Sequence, residues 1–204
     1  MGDPLQLSDE RVAPAIVSQI LVDAELCLER NGLHRATMGD IAKAAGVRRQ
    51  ALYEHFSSRD ELVITVRAKK ARRIFARAAD AMAREPDLES KMVAGLLGIV
   101  EDGLAEPYLF MLVSPGEVNT FARIVGADRV MPRLVGRFWL PVLEEAKAKG
   151  ELRATLELDE IVRWIGYVML ILISGRAQGV SDEATDRRLI EEMLLPALTR
   201  PDRS

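Results

Sequence analysis

Apolar residues recur at helical spacing along most of the chain. Near the N-terminus one stripe follows the spacing i, i+4, i+5, i+8, i+11 and i+12, and it is formed by Ile16, Ile20, Leu21, Ala24, Cys27 and Leu28. This spacing places the side chains on one face of an α-helix, which Asn31-Gly32 is suited to end. No segment alternates apolar and polar residues as a half-buried strand would. The pattern therefore predicts an all-α protein of about nine helices.

Two short helices are predicted after the first one. Thr37 and Asp40 have the spacing of a capping box, which opens a helix over 38–45. Gly46 ends that helix because it tolerates the left-handed backbone conformation. A second short helix over 48–55 follows almost at once.

Longer helices fill the rest of the chain. Ser58 and Glu61 repeat the capping-box spacing ahead of a helix expected to run to about Arg84, before Pro86. Five further helices are predicted at about 88–105, 108–113, 117–149 with interruptions near Gly126 and Pro132, 159–178 and 181–198.

Charge is distributed unevenly between the two ends of the chain. Residues 1–80 hold 13 basic and 11 acidic residues, a net of +2, whereas residues 81–204 hold 15 and 20, a net of −5. Between Lys43 and Arg77 there are ten basic residues and three acidic ones. A positive end on an acidic body can bind a polyanion through one face, although basic helical faces are more often simply solvated.

The stretch 37–62, TMGDIAKAAGVRRQALYEHFSSRDEL, predicts a helix-turn-helix. Its small and apolar residues lock two short helices together and leave the polar side of the second one exposed. That side carries Arg48, Arg49, Gln50, Tyr53 and Glu54. Arginine and glutamine are suited to bidentate contacts with guanine and adenine edges. From the residues alone, a helical hairpin with a polar outer face is the competing interpretation.

The same stretch resembles the TetR family of transcriptional regulators at many fixed positions. The matching positions are Thr37, Ile41-Ala42, Ala45-Gly46-Val47, Leu52-Tyr53, His55-Phe56 and Arg59-Asp60-Glu61-Leu62. The resemblance implies an N-terminal three-helix DNA-binding domain, residues 1–60, and a helical domain, residues 61–204, for effector binding and dimerisation. It also implies a repressor that binds double-stranded operator DNA and is released by a small molecule. From the residues themselves we expect no enzymatic activity and no cofactor or metal.

The resemblance further implies a role for each residue of the DNA-binding domain. Phosphate contacts are assigned to Thr37, Tyr53, His55 and Arg59, with a packing role as the alternative for His55, and base contacts are assigned to Arg48, Arg49, Gln50 and Ala51. Phosphate contacts fix the register and make binding sensitive to salt, whereas base contacts carry the sequence preference. Members often have a small residue where Gln50 stands, so this longer side chain either reads a base or narrows the approach to the groove.

The C-terminal residues suggest an effector site and a dimer interface. Apolar and aromatic side chains suited to an apolar or amphipathic effector are Tyr108, Met111, Phe121, Phe138, Trp139 and Tyr167. Apolar faces suited to a four-helix bundle between two chains are formed by Ile161, Trp164, Ile165, Val168, Leu172, Leu189 and Met193. In both sets the residues could instead belong to the core of their own subunit.

The remaining features narrow the class of protein. Cys27 is the single cysteine and both histidines lie in the predicted DNA-binding region, so no nucleophile motif or metal-ligand set is formed. The apolar stretch 161–173 is too short to cross a bilayer, and residues 1–8 do not form a signal peptide; we expect a cytoplasmic protein. Three alternatives are not decided by the sequence: action as an activator, action without an effector, and binding of two dimers to one operator.

Overall fold

A computed structural model describes residues 15–32, 35–106 and 130–199 of the chain. Within those ranges it contains eight helical stretches and no strand, which confirms the all-α class and comes close to the predicted nine. The first seven are α1 (Ala15–Asn31), α2 (Met38–Ala44), α3 (Arg49–Tyr53), α4 (Arg59–Met82), α5 (Leu88–Leu104), α6 (Val130–Lys149) and α7 (Leu158–Ala177). The predicted helix at 108–113 and the first part of the segment 117–149 lie outside the described residues.

The eighth stretch, α8, covers 183–198 and changes its hydrogen bonding along its length. It begins as an α-helix over Glu183–Leu189, widens to a π-helical turn over Ile190–Leu194 and ends with an α-helical turn over Leu195–Leu198. Its N-cap is Asp182, whose side chain accepts a hydrogen bond from the Thr185 amide at 2.8 Å.

The chain folds as two compact units, Met1–Lys70 and Ala71–Ser204, and the division lies inside α4. This is further along the chain than the domain boundary predicted after residue 60. In the first unit, fully buried side chains of α1 to α4 form one core, and the largest of them are Ile20, Leu28, Ile41, Leu52 and Leu62.

One member of the predicted α1 stripe lies outside this core. Ile16 is half exposed, whereas the other five residues of the stripe are buried. Successive residues of an α-helix are separated by about 100°, which puts Ile16 at the edge of the face centred on Ala24. Ile16 therefore lies on the predicted stripe but outside the core.

A buried lysine connects α4 to α1 within the first unit. The side chain of Lys70 is 4% exposed, and its ammonium lies 3.2 Å from Glu25 Oε1 and 3.0 Å from Glu29 Oε1. A buried ammonium requires such partners because its desolvation is costly. Lys70 therefore fixes the position of α1 along α4.

The core of the second unit is built around Trp139 of α6, which is completely buried. Gly95 of α5 makes room for this indole: a Cβ at that position would lie 2.9 Å from Trp139 Cη2 and 2.6 Å from Met82 Sδ. Beside it, the ring of Phe138 stacks on Phe75 of α4 at a centroid distance of 5.0 Å. Large and small residues thus interlock α4, α5 and α6.

Local features at two helix starts bear on the prediction. Pro132 lies in the first turn of α6, where a helix does not need its missing N–H, and the part of the segment just before it, 107–129, lies outside the described residues. The Glu61 amide does bond Ser58 Oγ, at 3.1 Å, but the Glu61 carboxylate accepts from the Ser57 amide at 2.6 Å instead of the amide of Ser58. Of the two bonds of the second capping box, the one to the Ser58 hydroxyl is as predicted, and the one to the Glu61 carboxylate comes from the preceding residue, Ser57.

No helix among the described residues is long and apolar enough to cross a membrane. The same residues contain no group of three histidine, cysteine or acidic side chains arranged to hold a metal ion.

Candidate DNA-binding surface

The N-terminus of α2 is fixed by a complete capping box. Thr37 Oγ1 accepts from the Asp40 amide at 3.2 Å, and Asp40 Oδ2 accepts from the Thr37 amide at 2.9 Å and from the Thr37 hydroxyl at 2.7 Å. These hydrogen bonds lower the pKa of Asp40, because they favour its charged form. The Thr37 hydroxyl proton is thus used within the box, and a phosphate would have to compete with Asp40 for it.

The turn between α2 and α3 is a Schellman motif. The Val47 amide donates to the Ala42 carbonyl at 3.0 Å and the Gly46 amide donates to the Lys43 carbonyl at 3.3 Å. Gly46 has a φ of 64°, a conformation that disfavours any residue with a Cβ. The predicted turn is therefore present, and it sets the angle between the two helices.

The second helix of the motif, α3, is held by one buried residue and exposes most of the others. Leu52 is completely buried, and after the helix Phe56 is also buried. The predicted base contacts Arg48, Arg49 and Gln50 are all exposed, while Ala51 is partly buried. As an α-helix α3 is shorter than the predicted 48–55, since Arg48 is its N-cap and residues 54–55 form a turn.

Arg49 and Tyr53 lie one turn apart on α3 and contact each other. Arg49 Nη2 donates to the Tyr53 hydroxyl at 3.3 Å, and the guanidinium carbon lies 5.7 Å from the centre of the Tyr53 ring. This distance is within the range of a cation–π interaction. His55, the next predicted contact residue, is exposed.

Arg59, at the start of α4, contacts the backbone that precedes α2. Its Nε donates to the Ala36 carbonyl at 2.6 Å, and its Nη1 lies 3.6 Å from Asp60 Oδ1. The resemblance assigned Arg59 to a phosphate, and in this structure one of its donors instead holds the residue before Thr37. This bond could not be predicted from the sequence, because Ala36 and Arg59 meet only when the unit is folded.

The predicted effector residues are only partly within the described chain. Tyr108, Met111 and Phe121 lie outside it. Trp139 is buried and its ring meets that of Phe138 edge-on at 4.8 Å, while Phe138 and Tyr167 are both partly exposed. Trp139 Nε1 has no hydrogen-bond partner among the described residues although it is buried. An unsatisfied buried N–H is unfavourable by about 1–3 kcal/mol, so an acceptor placed there would be stabilising.

The predicted interface residues fall into two groups. Ile161, Ile165 and Leu172 are at most 3% exposed and pack inside their own unit. Large apolar side chains on the surface of α7 and α8 are Trp164 (49%), Ile171 (64%), Leu189 (38%) and Met193 (66%), with Val168 partly buried. Ile171 was not among the predicted interface residues, although its spacing of i+7 from Trp164 could have indicated it.

Comparison with known proteins matches the N-terminal part of the chain to a family. Residues 20–66 match the family model described as "Bacterial regulatory proteins, tetR family". This match contains α2, α3 and the whole of the turn between them. The resemblance that the sequence analysis gave is therefore confirmed.

Individual relatives extend the similarity beyond this segment. The chain is 25% identical over 136 residues to the HTH-type transcriptional repressor KstR2 of Mycolicibacterium smegmatis, covering 66% of each chain. It is 46% identical over 46 residues to the HTH-type transcriptional regulator TtgR of Pseudomonas putida, or 22% of each chain. The structure of the transcriptional regulator FadR from Bacillus subtilis in complex with stearoyl-CoA aligns with a TM-score of 0.62 and 16% identity, over 88% of this chain and 98% of that one. The last similarity shows the fold.

Proposed function

From the membership of this chain in the TetR family of bacterial regulatory proteins, we propose that it is a transcriptional repressor that binds operator DNA as a homodimer and releases it on binding a small effector. The observation that carries the proposal is the arrangement of α2 and α3. A complete cap and a Schellman turn fix two short helices, and the second one exposes Arg48, Arg49 and Gln50. Such a helix is suited to the major groove of DNA.

DNA binding can be tested by titrating the purified chain against duplexes selected from random oligonucleotides, at two salt concentrations. We expect affinity well above that for unselected DNA, and a loss of affinity as salt rises, because phosphate contacts release counterions. Arg48→Ala and Gln50→Ala should alter the sequence preference, since they remove base contacts. A native protein that selects no sequence would contradict the proposal.

The proposed dimer interface is formed by the exposed apolar residues of α7 and α8. Water-exposed large side chains gathered on two helices favour burial against a second copy of the chain, since their burial removes apolar surface from water. Trp164 and Met193 are the most informative positions because both are large and exposed.

Sedimentation of Met193→Glu and Trp164→Glu variants tests this interface. We expect each to shift the protein towards monomer, because a charge would be buried in the interface. Val180→Glu is the matched control: Val180 is apolar and 80% exposed but lies after the end of α7. If the native chain is monomeric, or if all three variants dissociate it equally, the interface is not the one proposed.

We place the effector in the second unit, near Phe138 and Trp139. Two observations support this position: the aromatic cluster with Phe75, and the buried Trp139 Nε1, which has no hydrogen-bond partner among the described residues. An apolar or amphipathic molecule with a hydrogen-bond acceptor would fit both. The stearoyl-CoA complex of the similarly folded FadR supports the same chemical class.

Tryptophan fluorescence can test the effector site directly. The chain has two tryptophans, so a Trp164→Phe variant leaves Trp139 as its single reporter. Fatty acyl-CoA ligands such as stearoyl-CoA should change its emission and, at the same concentrations, release the selected DNA. A ligand that releases DNA without changing Trp139 emission would place the effector elsewhere, and an absence of any releasing ligand favours a regulator without an effector.

A further inference from the structure

We propose that Tyr53 is a positioning residue for Arg49, and that it sets the base preference of α3 by holding the Arg49 guanidinium. This role is distinct from a phosphate contact by the Tyr53 hydroxyl. The inference rests on the proposed DNA-binding function.

The side chains of Arg49 and Tyr53 contact each other on the exposed side of α3 through a hydrogen bond and a cation–π interaction. They are separated by four residues, so they lie on the same face of the helix. The hydrogen bond of 3.3 Å fixes one edge of the guanidinium, and the ring lies within 5.7 Å of its central carbon. Both residues are exposed, and Tyr53 is 44% exposed, so the contact is not a by-product of core packing.

The contact leaves both partners able to act on DNA. A guanidinium has five N–H donors, and the bond to Tyr53 uses one of them, which leaves a second edge for a bidentate contact with guanine. The Tyr53 hydroxyl accepts from Arg49 and retains its own proton, which it can donate to a phosphate. One tyrosine can therefore connect the backbone contact with the base contact.

Neighbouring side chains on α3 are not held in this way. Neither Arg48 nor Gln50 makes a side-chain hydrogen bond or ring contact with another described residue, and Arg48 gives its helix no side-chain cap. Arg49 is thus the base-reading candidate whose rotamers are restricted before DNA arrives. Restricting a long side chain in advance lowers the entropic cost of binding.

Base discrimination should fall when the ring is removed. The free energy of an exposed cation–π contact favours the held conformation of Arg49 by about two- to fivefold. We expect the ratio of Kd values between the wrong and the preferred base to fall by about the same factor. The base pair concerned is the one at which Arg49→Ala flattens the preference. Tyr53→Leu should flatten the preference at the same base pair and at no other. Tyr53→Phe keeps the ring but loses the hydroxyl, so it should flatten that preference less than Tyr53→Leu does and should also weaken binding to all sequences.

The experiment measures Kd for the selected site and its single-base variants with the full-length chain. The variants are Tyr53→Leu, Tyr53→Phe, Arg49→Ala and the double variant with Arg49→Ala and Tyr53→Leu. In the double variant the loss of Tyr53 should change no base preference further. Arg48→Ala is the matched control, because Tyr53→Leu should keep its full effect on discrimination in that background.

Two results would overturn the inference: Tyr53→Leu with native discrimination, or an equal loss of discrimination when Arg49 is already alanine. A measurement without DNA separates this inference from the proposed function. The NMR signals of the Arg49 side chain should shift between the native chain and Tyr53→Leu, because the ring current is lost. Unchanged signals contradict the contact itself, whereas a shifted signal in a chain that selects no DNA sequence would contradict both the proposed function and the role in base preference.

Discussion

Replacing Gly95 with alanine tests the packing of the second unit at its tightest point. The added methyl carbon would lie 2.6 Å from Met82 Sδ and 2.9 Å from Trp139 Cη2. The thioether of Met82 can move, but the indole of Trp139 is completely buried and has little space to do so. The substitution should therefore force the indole or α5 to shift.

Two effects of opposite sign determine the magnitude. Overpacking a core usually lowers the free energy of unfolding by about 1–3 kcal/mol. Alanine in place of glycine within a helix raises it by roughly 0.5–1 kcal/mol. The net expectation for Gly95→Ala is a loss of up to about 2.5 kcal/mol.

Gly98 offers a matched control in the same helix. Among the described residues, a Cβ there would meet only Ala78, at 3.9 Å, which is an ordinary contact. Gly98→Ala should therefore raise the free energy of unfolding by about 0.5–1 kcal/mol, because alanine favours the helix and the methyl group causes no overpacking. The two variants are expected to differ by about 1–3 kcal/mol, or roughly 2–12 °C in melting temperature for a chain of this size.

Thermal unfolding followed by circular dichroism, at one protein concentration, gives this difference. The Trp164→Phe background adds a local readout, because the emission of Trp139 should change in Gly95→Ala and stay native in Gly98→Ala. Equal stabilisation by both alanines, with native Trp139 emission, would show that the contact between α5 and the indole is looser than described.

Three further predictions concern charge and the single thiol. Lys70→Met should lower the free energy of unfolding by roughly 1–3 kcal/mol, because it leaves two partly buried carboxylates without their ammonium; equal melting temperatures would contradict this. Hydrogen bonds from Thr37 and Thr185 lower the pKa of Asp40 and Asp182, respectively. The stability that these two carboxylates contribute is therefore present above their unfolded pKa, near 4, and is lost as pH falls through the folded pKa. Melting temperatures should therefore fall below about pH 4 in the native chain, and the fall should be smaller with Asp182→Asn. Burial raises the pKa of Cys27 and shields its thiol, so a thiol reagent at pH 8 should label it more slowly in the folded chain than in denaturant, and equal rates would indicate an exposed thiol.

Features encoded within a few residues could be predicted from the sequence. Thr37 and Asp40 are three residues apart and bond to each other across one turn, so their spacing alone indicates the cap. The left-handed backbone conformation of Gly46 likewise depends on this residue alone, because glycine adopts it readily. The helix-turn-helix, whose order depends on such local terms, was therefore predictable together with its exposed polar side.

Features that depend on distant parts of the chain could not be predicted in this way. Lys70 stands in a basic run and would be expected to face water, yet Glu25 and Glu29 of another helix bury its ammonium. Similarly, the apolar positions of α7 gave no means to separate Ile165, which is in the core, from Trp164, which is on the surface. A helix that is apolar on most sides has no period that distinguishes its own core from a partner.

The π-helical turn in α8 limits how the length of this helix can vary. Asp186, Ile190, Leu194 and Leu198 are four residues apart and all buried. In a regular α-helix each such step rotates the side chain by about 40°, and three steps would carry the last residue far from the first. The π-helical turn contains more residues per turn and so offsets most of this rotation, which keeps the four side chains on one face. Deleting one residue there would give a more regular helix but turn its C-terminal end by about 100°, so an otherwise similar chain that lacked that residue would need a different set of buried positions after it.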